Sequence, residues 1–433
     1  MKRSTKSIKQ DFIGLINSIT PDDVAKSPEN FTRKRLCPLH DTLMLLLSME
    51  GHTLNTEISN YYSTVTKHQP SKSAFSQQRS KLAEDALPNL LTATNRIFPF
   101  EKTFKGLHLL AADGTALNIP SLPDDPKTFM PYSSGKGGFH QDHLTAIYDL
   151  LENRYLDAVI VPRREYNENR DLCEMVDRLL LDEPCLFIAD RAFCTFNTIA
   201  HVIVAGQYYL FRVKEPSSKG SFFKGIPFPN ADEFSIRHTF ILQRNYVRQD
   251  QDHRVYKRLH GDRAFDFLPF EDRINKYEIQ CRLIKVAIGN NQYEYLITNL
   301  PDEQFPISVL KQLYNARWGI ETSFRKLKYN LALTYFHSYK REFINQEIFS
   351  RIIMFNVISM IISSIRVVKK NTKYVYVISF SDAVFHCRRF LLTRMSAVKL
   401  KNLLLMSLSP IRPGRSSPRH TATQRLKPLN NRF

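Results

Sequence analysis

One short segment holds the side chains whose chemistry most needs explaining. In YNARWGIETSFRKLK, Tyr314, Arg317, Glu321 and Lys328 follow one another at spacings of three, four and seven residues. At about 100° per residue on a helix they fall within roughly 60° of one another. One stripe then presents a phenol, a guanidinium, a carboxylate and an ammonium. A solvent-facing pair between Arg317 and Glu321 would use two of these groups. A metal-binding Glu321 flanked by Arg317 and Lys328 as phosphate clamps would use them all. Two further acids invite the same chemistry. Asp113 follows the apolar run GLHLLAA and precedes Gly114-Thr115, and Asp190 follows CLFIA. A carboxylate at the end of an apolar strand is poorly solvated unless a positive group binds it, and ligands of α/β sheets sit at the carboxyl ends of strands. Either Asp alone would serve equally well as a turn cap. Two aspartates and a glutamate together suit phosphodiester cleavage. Two Mg²⁺ ions about 4 Å apart can activate a water and stabilise the leaving oxygen, and Mg²⁺ prefers hard oxygen ligands. Glu168 and Asp149 are further acids that no spacing ties to this set. Gly135 to Gly138 includes Lys136 but lacks the frame of a phosphate-binding loop.

The elements that must position these residues are legible from periodicity. Residues 1–100 are predicted to be helical. Leu39 to Met49 is a dense apolar run, Glu57 to Tyr62 is a second helical patch, and Pro70-Ser71 supplies a break and an N-cap for a third helix over Ser73 to Leu82. That last helix carries Gln78 and Arg79, which suit base edges and phosphates. It reads either as the second helix of a helix-turn-helix or as an ordinary solvent-facing helix. From about Leu107 the pattern becomes α/β. Strands are predicted through Asp113, over 143–151 and over 154–164, with a turn at Glu152-Asn153. A helix follows over Asn169 to Leu181, then the doubly buried strand CLFIA, a helix over Thr195 to Val204, and the strand YYLFRVK. This order predicts an α/β fold with a mixed sheet. Residues 216–300 alternate and are rich in Val, Ile and Tyr, as expected of a β-rich insertion. One long helix is predicted from Ile307 to about Asn330, and further helix over 340–365. The expected divisions are thus 1–100, 101–215, 216–300, 301–366 and a basic C-terminal region over 367–433. The last of these ends in a Pro-broken basic stretch expected to be disordered.

Bulk composition narrows the partner. Lys and Arg outnumber Asp and Glu by 61 to 42, a net charge of +19. Such an excess calls for a polyanion, most often nucleic acid. The apolar share of 43% excludes a disordered chain. None of the six cysteines forms a C-x-x-C pair, which argues for buried thiols over a zinc site or disulfide framework. The basic N-terminus lacks the apolar core of a signal peptide, and Ile352 to Ile365 is too short and too polar to span a bilayer. A cytoplasmic protein without membrane or small-molecule partners is expected.

With these residues in view, the chain resembles the IS4-type DDE transposases over roughly residues 30 to 425. Tyr314, Arg317, Glu321 and Lys328 meet the Y-x2-R-x3-E-x6-K signature without deviation. The first Asp matches in AADGT at Asp113 and the second in IADRAF at Asp190, with Ala192 where the family usually has Gly. The resemblance implies an RNase H-like mixed sheet flanked by helices, with the β-rich insertion between the second Asp and the Glu and an all-helical N-terminal domain. It implies Asp113, Asp190 and Glu321 as catalytic metal ligands for two Mg²⁺ ions, with Mn²⁺ as a substitute. It further implies that Tyr314, Arg317, Lys328, Trp318, Arg212 and Lys214 contact DNA, although Trp318 could equally be a helix core residue. The partners would be double-stranded DNA, as terminal inverted repeats and as target, and a second copy of the chain when two ends are paired. The competing expectations are a metal-dependent nuclease that does not join strands and a catalytically silent DNA-binding regulator.

Overall fold

The computed structural model describes residues 3–32, 36–65, 68–181, 183–260, 264–289, 292–368 and 372–412. The N-terminal helices are α1 (Thr5–Ser18), α2 (Pro21–Val24), α3 (Leu39–Ser48), α4 (Leu54–Val65), α5 (Lys72–Arg79) and α6 (Ala86–Ile97). Hydroxyls cap several of them, Thr53 accepting from the Thr56 N–H before α4. Ser4 accepts from the Ser7 N–H before α1, and Ser71 accepts from Ala74 N–H before α5. The chain then builds β1 (His108–Ile119), β2 (Phe129–Pro131), β3 (Gly138–Asp149), β4 (Arg154–Pro162), α7 (Glu168–Asp177), β5 (Cys185–Ala189), α8 (Phe196–Val204) and β6 (Tyr208–Val213). Four more strands follow, β7 (Phe234–Gln243), β8 (Tyr256–Arg258), β9 (Tyr277–Gly289) and β10 (Gln292–Thr298). The last elements are α9 (Ile307–Ala316), α10 (Trp318–Tyr329), α11 (Arg341–Ser364), β11 (Val375–Ile378), α12 (Phe380–Leu392), α13 (Ala397–Met406) and β12 (Leu408–Ile411).

Ten of the described strands form one mixed sheet in the order β2-β3-β1-β5-β6-β10-β9-β7-β8, with β4 beside β3. β3 and β4 run antiparallel to the strands they follow, whereas β5 and β6 run parallel to β1. Residues 216–300 contribute β7, β8, β9 and β10, and these strands extend the same sheet. β10 pairs with β6, and β9 and β7 continue outward from it. Phe240, Ile279 and Leu283 share one apolar core with Ile199 and Phe211. The alternating pattern over 216–300 specified strands but not which edge they would join.

The N-terminal helices are not a free-standing unit. α1, α3 and α6 pack on α11, and one apolar core runs from Phe12 and Leu45 through Ile352 and Phe355 to Leu400. α11 is long and apolar enough to cross a membrane, but most of it is buried inside the protein. Helices on one face of the sheet bury Leu110 and Ala112 of β1, and α10 on the other belongs with Ala111 and Leu117. The alternation along β1 thus assigns odd positions to the α10 face and even positions to the α7 face. The basic region after residue 366 contributes α12, α13 and the β11–β12 pair. Its expected disordered end lies, from residue 413, outside the described residues. All six cysteines are free thiols and five are buried.

Candidate active site

The site begins where the parallel pairing of β1 and β5 stops. The last pair is Ala112↔Ala189, so Asp113 and Asp190 are the next residues on neighbouring strands. Adjacent strands lie about 4.8 Å apart, and residues level with each other in parallel strands face the same side of the sheet. CLFIA is buried throughout because it is the middle of the sheet, and Asp190 is the first residue to emerge. Asp113 does not end its strand as its sequence context predicts. β1 continues to Ile119 against β3, with Asp113 opposite Ala146. What ends at Asp113 is β5, which leaves that edge of β1 open. The Asp113 carboxylate accepts from Gly114 N–H at 2.9 Å. Burial pushes its carboxyl up to about 6, and the nearby acids Glu321 and Glu168 push the same way, against the pull of Gly114 and Arg317. Asp190 accepts from the Arg191 N–H at 2.7 Å and from the Tyr314 hydroxyl at 3.4 Å.

The segment from Ile307 to Asn330 is two helices, not one. α9 ends at Ala316, α10 begins at Trp318, and Arg317 sits at the joint, its N–H bonded three residues back to Tyr314 O. The Tyr314–Lys328 stripe is therefore split. Tyr314 reaches Asp190 from α9, while Glu321 faces β1 from the first turn of α10. Arg317 joins the two acids. Its Nη2 donates to Glu321 Oε1 at 2.9 Å and its Nη1 lies 3.6 Å from Asp113 Oδ2. Burial works against the Arg317 charge, but Tyr314, Glu321 and Asp113 more than offset it, and its pKa is raised. Its buried Nε has no hydrogen-bond partner, a donor left open beside the acids. Lys328 is turned onto the sheet, donating to Thr115 Oγ1 at 2.7 Å and Ala116 O at 2.8 Å. Burial lowers its pKa to about 8. Trp318 is half exposed, with the Arg317 guanidinium 5.2 Å from its ring centre.

The donors suit a hard divalent cation. They are all carboxylate oxygens, and Asp113 carries more negative neighbours than the single guanidinium of Arg317 neutralises. In this conformation Arg317 stands between Asp113 and Glu321, and among the described residues no three His, Cys, Asp or Glu side chains are grouped closely enough to hold one ion. The remaining expected contacts are dispersed. Arg212 on β6 lies 3.5 Å from Glu294, and Lys214 is exposed just beyond that strand. Gln78 and Arg79 do not line a DNA-facing surface. Both are buried, and Arg79 is bonded to Gln346, Glu347 and the Phe343 carbonyl of α11. The polar-basic pattern of α5 looked solvent-facing because its acidic partner lies more than 260 residues away. The sequence also offered no sign of the pair His143–Glu168, whose Nε2–Oε1 distance is 2.9 Å and which lies against Gly114.

Residues 105–357, more than half of the chain, match the family described as Transposase DDE domain. The transposase for insertion sequence element IS231F of Bacillus thuringiensis subsp. israelensis is 24% identical over 258 residues, 53% of this chain and 52% of that protein. The chain thus matches about half the length of this curated relative. A cryo-EM structure of a piggyBac transposase synaptic complex with hairpin DNA aligns with 95% of this chain and 87% of its own at a TM-score of 0.46 and 12% identity. Asp113, Asp190, Tyr314, Arg317, Glu321 and Lys328 all fall within the matched span, and the chain belongs to the Transposase DDE domain family.

Proposed function

We propose that this protein is a DNA transposase of an insertion sequence, IS4-like in its signature, that cleaves DNA at the element's ends and joins them to target DNA. The observation that carries this reading is the site itself. Asp113 and Asp190 stand abreast where β5 ends, and Glu321 is brought over Asp113 from α10 through Arg317. The order β4-β3-β1-β5-β6, antiparallel and then parallel with helices on both faces, supports an RNase H-like assignment. Asp113, Asp190 and Glu321 would hold two Mg²⁺ ions, which supply an activated oxygen nucleophile and stabilise the leaving oxygen.

The chain's own residues account for binding and orientation. Tyr314 fixes Asp190 through its hydroxyl, and Lys328 pins α10 to β1 so that Glu321 stays over the strand. Arg317 bridges Asp113 and Glu321, and its guanidinium suits a phosphate oxygen. Half-exposed Trp318, with Arg212 and Lys214, extends the cationic and aromatic surface on which double-stranded DNA would lie. Two copies of the chain would pair two ends. A net charge of +19 makes that binding fall steeply with salt.

The test incubates the full chain with labelled DNA carrying the element's inverted repeats, plus Mg²⁺ or Mn²⁺. Cleaved ends and joined products are expected, and both vanish in Asp113→Ala and Glu321→Ala while DNA binding persists. Cleavage that survives these substitutions contradicts the site. Cleavage without joining reduces the protein to a nuclease, and binding without cleavage to a regulator.

A further inference from the structure

Charged side chains are buried together where α11 packs on the N-terminal helices and on α12. Arg79, Arg351 and Arg388 are only 1%, 1% and 4% exposed. His337 joins them as a fourth cation on geometry alone. Its Nε2 lies 2.9 Å from the His52 carbonyl and its Nδ1 lies 3.0 Å from Glu347 Oε2. The carbonyl can only accept, and the carboxylate, ionised against Arg79, accepts as well, so both ring nitrogens carry protons. Three carboxylates face these four cations, those of Glu50, Glu57 and Glu347, and among the described residues no other acid pairs with any of the four. His52, whose ring lies 3.4 Å from Glu50 Oε2, can only add to the positive excess.

The carboxylates are already engaged. Glu347 accepts from Arg79 and His337, Glu57 Oε1 accepts from the N–H groups of Glu50 and His52 at 2.9 Å each, and Glu50 Oε1 lies 3.2 Å from Arg388 Nη1. What remains is donors. Arg351 Nη2 donates to the Glu50 carbonyl at 3.3 Å and Arg388 Nη2 to the Met49 carbonyl at 2.6 Å, so both guanidiniums are held at consecutive residues of the α3–α4 connection. Nε and Nη1 of Arg351 and Nε of Arg388 are buried without a hydrogen-bond partner. Buried donors are nearly always paired, and a buried charge without a counter-charge is costly. We infer that Arg351 and Arg388 bind one small monovalent anion, of the halide class, between α11, α12 and the α3–α4 connection. The single unbalanced charge sets its valence. Enclosure sets its size, because a DNA phosphate or an outside carboxylate cannot reach guanidiniums so fully covered. An ordered water would satisfy a donor there but bring no charge. The anion ties an N-terminal connection to two helices some 300 residues later in the chain. This inference does not depend on the metal-site reading.

The experiment follows the thermal midpoint of the full chain as sodium chloride replaces sodium gluconate at constant ionic strength. In wild type the midpoint is expected to rise by about 2 °C and level off, as binding to a single site requires, and bromide is expected to act as chloride does. Arg388→Gln removes the unbalanced charge and is expected to show no such rise. General effects of salt on stability are shared by both proteins and drop out of the comparison. Should Arg388→Gln fail to fold, wild-type crystals grown with bromide decide the matter, with an anomalous bromide peak expected in contact with both Arg351 and Arg388. A wild-type midpoint that does not distinguish chloride from gluconate overturns the inference, and so does a rise kept in full by Arg388→Gln. Crystals without bromide at the two guanidiniums also overturn it. Bromide found there without any midpoint response means binding at crystal concentration only, which overturns it too.

Discussion

Two regions of this protein pair arginine with glutamate, and they treat the pairing in opposite ways. Between α5 and α11, Arg79 donates to Glu347 Oε1 at 3.0 Å, while His337 takes Oε2 at 3.0 Å and passes its other nitrogen to the His52 carbonyl. Arg79 is further bonded to Gln346 and Phe343 O and lies 4.2 Å over the Phe343 ring. Both Glu347 oxygens are satisfied. Burial opposes the charge of Glu347, yet His337, Arg79 and Arg351 hold its carboxyl down at about 2. At the rim of the sheet, one guanidinium, that of Arg317, serves both Asp113 and Glu321, and Asp113 is left up at about 6. The first network pairs both oxygens of its carboxylate and ties α5 to α11, although Nε and Nη1 of Arg351 beside it have no hydrogen-bond partner. The second is short of positive charge and sits where strand pairing stops. On the reading proposed above, the contrast is between a buried ion cluster that holds the fold and a candidate cation site.

The largest effect that would sharpen this contrast is on chemistry. Asp113→Ala or Glu321→Ala should lower cleavage of element-end DNA by about 10³-fold or more, since metal ions supply several kcal/mol of transition-state stabilisation. The folded state should survive, and gel assays of labelled ends against circular dichroism check both halves. Next, Arg79→Ala should cost about 3–5 kcal/mol of stability, measured by urea unfolding, because it removes the partner of Glu347 Oε1 inside the protein and leaves His337 and Arg351 as that carboxylate's cationic neighbours. A change in DNA affinity without loss of stability would return Arg79 to the DNA-binding role its sequence context suggested.

The α5–α11 network should also show itself in pH. His337 is raised to about 9: burial lowers it, but Glu347 and Glu57 outweigh that. A histidine raised above its unfolded value of about 6.5 contributes stability that is complete below that pH and is lost as pH rises through about 9, on the order of 3 kcal/mol. Stability measured from pH 6 to 10 should fall across this window in wild type, and the fall should be much reduced in His337→Gln. The smallest effect has the opposite sign. Asp113→Asn removes a buried, raised carboxylate and should stabilise the metal-free protein at neutral pH by about 1 kcal/mol, as expected where function is maintained at a cost to stability. A clear loss of stability would mean that Asp113 belongs with the networks that hold the fold.

How much of this could be read beforehand follows from the range of the interactions. The buried strands that carry Asp113 and Asp190 were legible because each is an apolar run, and the helical setting of Glu321 because its neighbours repeat at helical spacing. The cap at Ser71 was legible for the same local reason. The break at Arg317 was not, because helical periodicity hides a joint at which the next residue resumes the same pattern. Arg79 could not be placed, since what draws it inside is Glu347, and only the packing of α5 on α11 brings them together. The strands over 216–300 were visible as strands, but their pairing with β6 is a choice of edge that alternation does not encode. Glu168 was invisible for a further reason. Its approach to Gly114 depends on α7 crossing β1 and on the space that a missing side chain leaves.

The central claim is that the acids at the end of β5, spanned by Arg317, form one cation site. The most direct measurement is a crystal structure of the protein with an element-end DNA duplex and Mn²⁺, with the metal located by anomalous scattering. The account predicts Mn²⁺ about 2.2 Å from carboxylate oxygens of Asp113 and of Asp190 or Glu321, with the Arg317 guanidinium moved off Asp113 toward a DNA phosphate. Mn²⁺ bound elsewhere, with Arg317 still joining Asp113 and Glu321 in the DNA complex, would contradict it.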